Sequence, residues 1–550
     1  MELQSSDFLN STEKNTIHPR EMGNYSEGHI CQCLNRLATA RRNAVVTISG
    51  DRQKTGEQFV EEVLCLARGL LELGLRADDI VAISAFNSDL YLEWLLAIAF
   101  VGGIAAPLNY RWSVEEARLA MLVVKPIMLV TDESCQRWYS KLQKNGIPSL
   151  RWHVSLNFPS DFMKTWNVLT TETLKKYSMR PLPLNYCWAH EGVVIICFTS
   201  GTTGRPKGIT LSHTALIIQS LAKIAIVGYA ENDVYLHTAP LCHIGGLSSA
   251  MAMLMVGGSH VIIPKFEPKS ALKAVERYRV TSLITVPTIM ADIISLIRQK
   301  ATWKGKESVN KILNGGGGLS IELIKDATLF FPRAKLFSAY GLTEACSSLT
   351  FMTLYDPTME ISSQHLQKVA NTRYTSVHQS QGVCVGKPAP HVELKICVDG
   401  SSHVGRILTR GPHVMLRYWG QIPEKASDSS NESWLDTGDV GSIDEYGNLW
   451  LIGRVNGQIK SGGENVYPEE VEAILFQHPG VIGVVIVGIP DARLTEMVIA
   501  CIQLREHWFK IPKTFILWRE PFPVTTTGKV KRDQVRREVM SHLQSLPSSL

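Results

Sequence analysis

One short segment gathers the groups that hold phosphate: Phe198-Thr199-Ser200-Gly201-Thr202-Thr203-Gly204-Arg205-Pro206-Lys207-Gly208. Its glycines permit backbone conformations that turn successive N–H groups inward, and the hydroxyls of Thr199, Ser200, Thr202 and Thr203 add donors. Lys207 adds a compact positive charge, so the segment suits a polyphosphate. The apolar run Val193-Val194-Ile195-Ile196-Cys197 just before it reads as a buried strand, which argues against a flexible Ser/Thr/Gly linker. The segment is not a Walker A loop, because no Gly-Lys-Ser/Thr follows Pro206. A second cluster, Asn314-Gly315-Gly316-Gly317-Gly318, follows the short run Lys311-Ile312-Leu313 and lets backbone approach a flat ligand. It is no dinucleotide fingerprint, since the spacing breaks at Ser320.

Loops of this kind need strands and helices to hold them. Val81-Ala82-Ile83-Ser84-Ala85 precedes a helix-like stretch at 90–101, and Pro126-Ile127-Met128-Leu129-Val130 is strand-like. His260-Val261-Ile262-Ile263 precedes a helical pattern at 268–278, and Ser282-Leu283-Ile284-Thr285-Val286 precedes another. That alternation predicts an α/β fold with largely parallel sheets. Residues 361–381 and 427–433 are polar and aperiodic, which reads as two surface insertions. Beyond Gly453-Arg454 the pattern becomes a compact run of strands and short helices, about the size of one small domain.

Composition bounds the function. With 45% hydrophobic residues in 550, there is material for a large core, and whole-chain disorder is excluded. A net charge of +5 is too small and scattered to argue for nucleic acid. The longest nearly unbroken apolar run, 94–108, contains Gly102, Gly103 and Pro107 and falls short of the ~20 residues a membrane span needs. The 11 cysteines form no CxxC pair, which fits a reducing compartment and gives no zinc site. Residues 1–27 are polar and acidic, and read as a disordered leader. Ser548-Ser549-Leu550 is one residue away from the Ser-Lys-Leu address, so a peroxisomal import receptor is a candidate partner.

The 198–208 loop resembles the phosphate loop of the adenylate-forming superfamily: acyl- and aryl-CoA ligases, luciferases and peptide-synthetase adenylation domains. Four more segments resemble that superfamily's motifs, in its order. They are Ser338-Ala339-Tyr340-Gly341-Leu342-Thr343-Glu344, then Trp434-Leu435-Asp436-Thr437-Gly438-Asp439, then Gly453-Arg454 with the stretch from Ile459 to Glu472, and finally Pro523-Val524-Thr525-Thr526-Thr527-Gly528-Lys529. The resemblance covers about residues 30–540. It implies an α/β fold with a large adenylate-forming N-terminal domain of several subdomains, 28–455, and a small mobile α+β C-terminal domain, 456–550.

The resemblance also implies a reaction: a carboxylate oxygen attacks the α-phosphorus of ATP, diphosphate departs, and CoA then displaces AMP. Lys207 and the 199–204 loop would hold the departing phosphates, and Glu344 would hold Mg²⁺, a hard ion that prefers oxygen. Thr343 would donate to the α-phosphate and Tyr340, beside Gly341 and Leu342, would face adenine. Gly315, Gly316 and Gly317 would lie against adenine and the acyl group. Asp439, acceptor-only when ionised, would take the ribose hydroxyls, with Arg454 nearby. Lys529 would contact the carboxylate and α-phosphate during adenylation and then withdraw. Rotation about Asn456 would bring Lys460, Gly462 and Gly463 to the CoA thiol arm. His243, in Pro240-Leu241-Cys242-His243-Ile244-Gly245-Gly246, would close over the acyl pocket. Lys531 and Arg532 read as the solvated face of a terminal helix.

Within the superfamily the chain resembles the branch of plant ligases that attach CoA to 2-succinylbenzoate, through 90–112, 241–257, 338–352, 385–390 and the terminal Ser-Ser-Leu. That branch implies phylloquinone synthesis, in peroxisome or chloroplast, with the cytosol as the alternative. The second carboxylate of such a substrate must stay paired, and Lys223, an isolated cation in 221–227, is the candidate partner; a solvent-facing lysine is the competing reading. A generic aryl- or fatty-acyl-CoA ligase, a luciferase-like oxygenase and an impaired adenylate-binding variant are the rivals. The last arises because only Arg505-Glu506-His507-Trp508 separate Leu504 from Phe509, too few for the helix that the family carries there. The expected consequence is one bare face on the small domain's sheet and a poorly presented Lys529. Thr495, where a glycine is usual, is a second departure.

Overall fold

The computed structural model describes residues 28–138, 146–157, 169–176, 182, 186–200, 206–300, 302–359, 382–398, 403–421, 434–461, 464–478, 480–491, 495–504, 516–518, 521–525 and 529–544. The leader 1–27, the insertions 361–381 and 427–433, the short link 505–509 and Ser548-Ser549-Leu550 lie outside them.

Two large sheets carry the molecule. In the eight-stranded one, Ile80–Ser84, Ile104–Pro107 and Met128–Thr131 are parallel neighbours. Ile80–Ser84 and Ile104–Pro107 are buried on both faces, as their unbroken apolar runs require. Val193–Ser200 joins parallel to Ile104–Pro107, then folds back antiparallel as Pro206–Ser212. In the thirteen-stranded sheet, Val45–Ser49, Ser259–Ile262, Val234–His237, Ser282–Thr285, Lys311–Asn314 and Lys335–Leu342 form the parallel half. From Ser347–Tyr355 onward its pairing turns antiparallel, through Val383–Pro388, Leu449–Arg454 and Leu435–Ile443. The parallel expectation therefore holds for most of the eight-stranded sheet and for about half of the thirteen-stranded one. Among the described residues no helix is long and apolar enough to cross a bilayer; the run 94–108 divides into helix Asp89–Phe100 and strand Ile104–Pro107.

Helix Asp89–Phe100 is buried all round, including two carboxylates. Asp89 pairs with Arg52 at 2.6 Å and Lys54 at 2.9 Å, and Glu93 with Lys54 and with Lys175 at 2.9 Å. The pairing is obligatory, since removing one partner would leave a buried charge at a cost of about 3–5 kcal/mol. It also clamps the edge strand Arg52–Thr55 to the helix.

After Leu449–Arg454 the chain enters a separate five-stranded sheet containing Ile459–Ser461, Glu464–Val466, Val481–Asp491, Thr495–Leu504 and Ile516–Leu517. One face packs Val485, Val487, Ile489, Ile499 and Cys501 against Val535 and Val539 of helix Arg532–Gln544. The other packs Val484, Ile486 and Ile502 with Val471 and Leu475 of helix Pro468–Leu475. The expectation of a bare sheet face is corrected: each face has a covering helix. On the strand Thr495–Leu504, Val498, Ala500 and Leu504 are half-buried and Met497 is exposed. Arg532 is corrected too. It is no solvated face residue, because it bonds Glu469 at 2.9 Å and Glu472 at 2.7 Å and ties the two helices together.

Candidate active site

Strands Val193–Ser200 and Pro206–Ser212 pair antiparallel and put Thr199 opposite Lys207 and Ser200 opposite Pro206. Gly201, Thr202, Thr203 and Gly204 lie outside the described residues. Lys207 is exposed, with its Nζ 5.4 Å from the centre of the Tyr418 ring. Tyr418 stands on the edge strand Arg417–Tyr418 beside the hairpin, and its hydroxyl donates to Glu344 Oε1 at 3.1 Å. One aromatic side chain thus lies between Lys207 and Glu344. Nothing local in the sequence around Tyr418 signals this.

The parallel strand Lys335–Leu342 ends in a single turn, Thr343–Ala345, before the chain reverses into Ser347–Tyr355. Only glycine fits at 341, because a Cβ there would lie 1.6 Å from the Ser347 carbonyl oxygen. The reversal places Thr343 and Glu344, both partly exposed, at the carboxyl end of the sheet. Beside it the loop after Lys311–Asn314 is open at 316–318, with Gly316 at a φ of 69° and Asn314 Nδ2 donating to the Gly317 carbonyl at 2.8 Å.

Asp439 and Arg454 are direct partners on adjacent strands, and Arg454 Nε lies 3.0 Å from Asp439 Oδ1. Tyr340 donates its hydroxyl to Asp439 Oδ2 at 2.6 Å. Burial pushes the Asp439 carboxyl up, while the Arg454 charge and the Tyr340 bond oppose that shift. Each carboxylate oxygen keeps a second lone pair for a further donor. The Tyr340 hydroxyl is itself pushed well up by burial and then by the Asp439 charge, so it stays a donor.

Lys529 follows Thr525 in a turn closed by two bonds, Thr525 N–H to the Lys529 carbonyl at 2.6 Å and Lys529 N–H to Thr525 Oγ1 at 3.1 Å. Its ammonium projects from the five-stranded sheet's loop into the field of Asp439, Glu344 and Arg454. It keeps solvent access in that cleft. Crowding by protein and the Arg454 charge lower its pKa, and the two carboxylates raise it. Lys460 is exposed, with its N–H donating to Glu496 at 2.9 Å. Asn456 sits in the short turn Val455–Gly457, and Gly462 and Gly463 lie outside the described residues.

His243 precedes helix Ile244–Val256, its Nε2 3.4 Å from Asn109 Nδ2. Burial and then the Arg111 charge lower its pKa to about 4, so the ring is neutral at pH 7. Lys223 is fully buried in helix His213–Val227, which corrects the solvent-facing alternative.

Among the described residues no group of three or more His, Cys, Asp or Glu could cage a metal. The oxygens at hand, the Glu344 carboxylate with the Thr343 and Thr199 hydroxyls, fit Mg²⁺, which usually takes one or two carboxylates and completes its shell with phosphate and water.

Residues 34–419 match the family described as AMP-binding enzyme. The chain belongs to that family. It is 56% identical to the Arabidopsis thaliana 2-succinylbenzoate–CoA ligase, chloroplastic/peroxisomal, over 96% of this chain and all of the relative. It is 29% identical to the indoleacetate–CoA ligase of Aromatoleum aromaticum, over 89% of this chain and 94% of that one. Among solved structures, the anthranilate CoA ligase AuaEII bound to anthranoyl-AMP superposes with a TM-score of 0.77 at 21% identity, covering 94% of this chain and 98% of its own. The o-succinylbenzoate CoA synthetase of Bacillus subtilis, complexed with ATP and magnesium ion, gives a TM-score of 0.72 at 25% identity, covering 91% and 98%. This AMP-binding enzyme therefore has the mixed α/β fold of the adenylate-forming enzymes.

Proposed function

We propose that this AMP-binding enzyme converts 2-succinylbenzoate, ATP and CoA to 2-succinylbenzoyl-CoA, AMP and diphosphate through an acyl-adenylate. The observation that carries the adenylation chemistry is the Asp439 carboxylate held by Arg454 and Tyr340, with Lys529 in the electrostatic field of Asp439 and Glu344. The choice of acid is supported by the 56% identity to the Arabidopsis ligase.

In the first half-reaction Lys207 and the 199–204 loop hold the β,γ-phosphates and Thr343 donates to the α-phosphate. Tyr340 and Gly315 to Gly317 border adenine, and Asp439 with Arg454 takes the ribose. Lys529 draws the carboxylate and α-phosphate together, two anions that otherwise repel. Mg²⁺, held by Glu344, would shield the phosphate charge. His243, neutral, closes the acyl pocket without adding charge. For the second half-reaction the domain 456–550 turns about Asn456, withdrawing Lys529 and bringing Lys460, Gly462 and Gly463 to the thiol arm of CoA. The enzyme acts in the peroxisome, the chloroplast or both, Ser548-Ser549-Leu550 serving the import receptor.

A panel of aromatic, fatty and dicarboxylic acids, each with ATP and CoA, tests the reading through AMP release. Turnover highest with 2-succinylbenzoate and dependent on CoA supports it. Higher turnover with a simple aryl or fatty acid overturns it.

A further inference from the structure

Lys223 stands out among the lysines of this chain. Lys54, Lys175 and Lys311 are also largely buried, and each pairs with a buried carboxylate. Lys223 is 0% exposed, and the neighbours that act on its charge are the apolar surroundings and Cys346, with no acid among the described residues. Its ammonium donates to three hydroxyls instead: Ser248 Oγ at 2.5 Å, Ser249 Oγ at 3.2 Å and Ser347 Oγ at 3.2 Å. Three neutral acceptors satisfy the hydrogen bonds but leave the charge uncompensated.

Two of the hydroxyls stand on the helix that follows His243, the residue proposed to close over the acyl group. Ser248 and Ser249 lie on the helix that His243 begins, and they donate to the carbonyls of Ile244 at 2.7 Å and Gly245 at 3.0 Å, which leaves their lone pairs for Lys223. At 1.5 Å per residue, Ser248 is about 7 Å along that helix from His243. Ser347 lies just past Glu344, and its backbone is strained: Cys346 has a φ of 53° and Ser347 a φ of 120°. Neither is a glycine, so the conformation costs free energy, and strain of this kind persists where surrounding structure enforces it. Gly341, with no Cβ, leaves the room that the Ser347 carbonyl occupies in this conformation.

We propose that Lys223, with Ser248, Ser249 and Ser347, recognises a second anionic group on the acid substrate, a carboxylate remote from the one that is adenylated. This rests on the acyl-activating reading above. The missing counter-charge arrives with the substrate, and the Ser347 hydroxyl, 3.5 Å from Ser348 Oγ, can turn its proton toward the incoming oxygen. A dianionic acid is thereby favoured over its monoanionic analogue, because only the dianion compensates the charge of the protonated Lys223.

The test compares 2-succinylbenzoate with 4-oxo-4-phenylbutanoate, which lacks the ring carboxylate, in the wild type and in Lys223→Met, Lys223→Arg and Ser347→Ala. The readout is the ratio of the two kcat/KM values. The ratio should fall at least about 30-fold in Lys223→Met, fall less in Ser347→Ala, and be largely kept in Lys223→Arg. Equal loss on both acids in Lys223→Met would make Lys223 a folding residue and overturn the proposal. A free anion is the other source of the same chemistry: chloride that stimulates the monoanionic acid in the wild type but not in Lys223→Met would assign the site to it and also overturn the proposal. A wild type that ignores 2-succinylbenzoate but activates another dianionic acid, with the preference lost in Lys223→Met, keeps this inference and overturns the substrate reading instead.

Discussion

The Tyr340 hydroxyl donates to Asp439 Oδ2 at 2.6 Å, joining residues 99 positions apart on different strands of one sheet. The bond holds the tyrosine ring and the carboxylate in one fixed arrangement, with Arg454 on the other carboxylate oxygen. Removing the hydroxyl leaves Asp439 buried with one partner fewer. Tyr340→Phe is expected to raise the Michaelis constant for ATP by about tenfold, equivalent to one charge-assisted hydrogen bond of roughly 1.5 kcal/mol. Steady-state kinetics at saturating acid and CoA measure it.

Lys529 and Asn456 should separate the half-reactions. Lys529→Ala removes the ammonium beside Asp439 and Glu344, and is expected to abolish acyl-adenylate formation while sparing thioester formation from supplied acyl-adenylate. Asn456→Pro restricts the turn Val455–Gly457 and is expected to do the reverse. Equal loss of both half-reactions in either variant would count against alternation of the small domain.

Lys207 lies at the exposed end of its hairpin, with the Tyr418 ring against its ammonium. Lys207→Ala should weaken ATP use while far-UV circular dichroism stays unchanged. An unaltered Michaelis constant for ATP and unaltered turnover would remove it from the phosphate site.

Lys223 also makes stability depend on pH. Burial lowers its pKa from 10.5 to about 7 in the folded protein. Between those values the unfolded chain binds the extra proton, so stability rises as pH increases from 7 toward 10.5, and below 7 the penalty is complete. Lys223→Met is therefore expected to stabilise the free protein by up to about 5 kcal/mol at pH 6, with the gain vanishing near pH 10. Denaturant unfolding across that range checks both the sign and the window.

Thr495 adopts a φ of 72° at the start of the strand that the short link follows. A β-branched residue there is strained, and glycine is not. Thr495→Gly should stabilise the small sheet by about 1 kcal/mol, read as slower proteolysis between 455 and 500.

The apolar strand that feeds the 198–208 loop and the alternation of parallel strands are legible in the chain itself, and Tyr340, Glu344, Asp439 and Arg454 are legible through motifs that resemble the adenylate-forming superfamily. Each is a local pattern: an apolar run feeding a glycine-rich loop, or a fixed spacing of polar groups, and backbone stereochemistry makes such patterns carry structure. The chain's own residues therefore determined the family and the reaction class. Tertiary structure decided the rest, because burial and pairing are set by distant partners. Lys223 lies in the same kind of helix whether it faces water or three serines from 25 to 124 positions away. Tyr418 meets Lys207 and Glu344 only because its strand pairs with the hairpin's edge. Arg532 looked like a surface cation until the fold set Glu469 and Glu472 beside it. Both faces of the small sheet are covered, since alternate residues of one strand reach different helices.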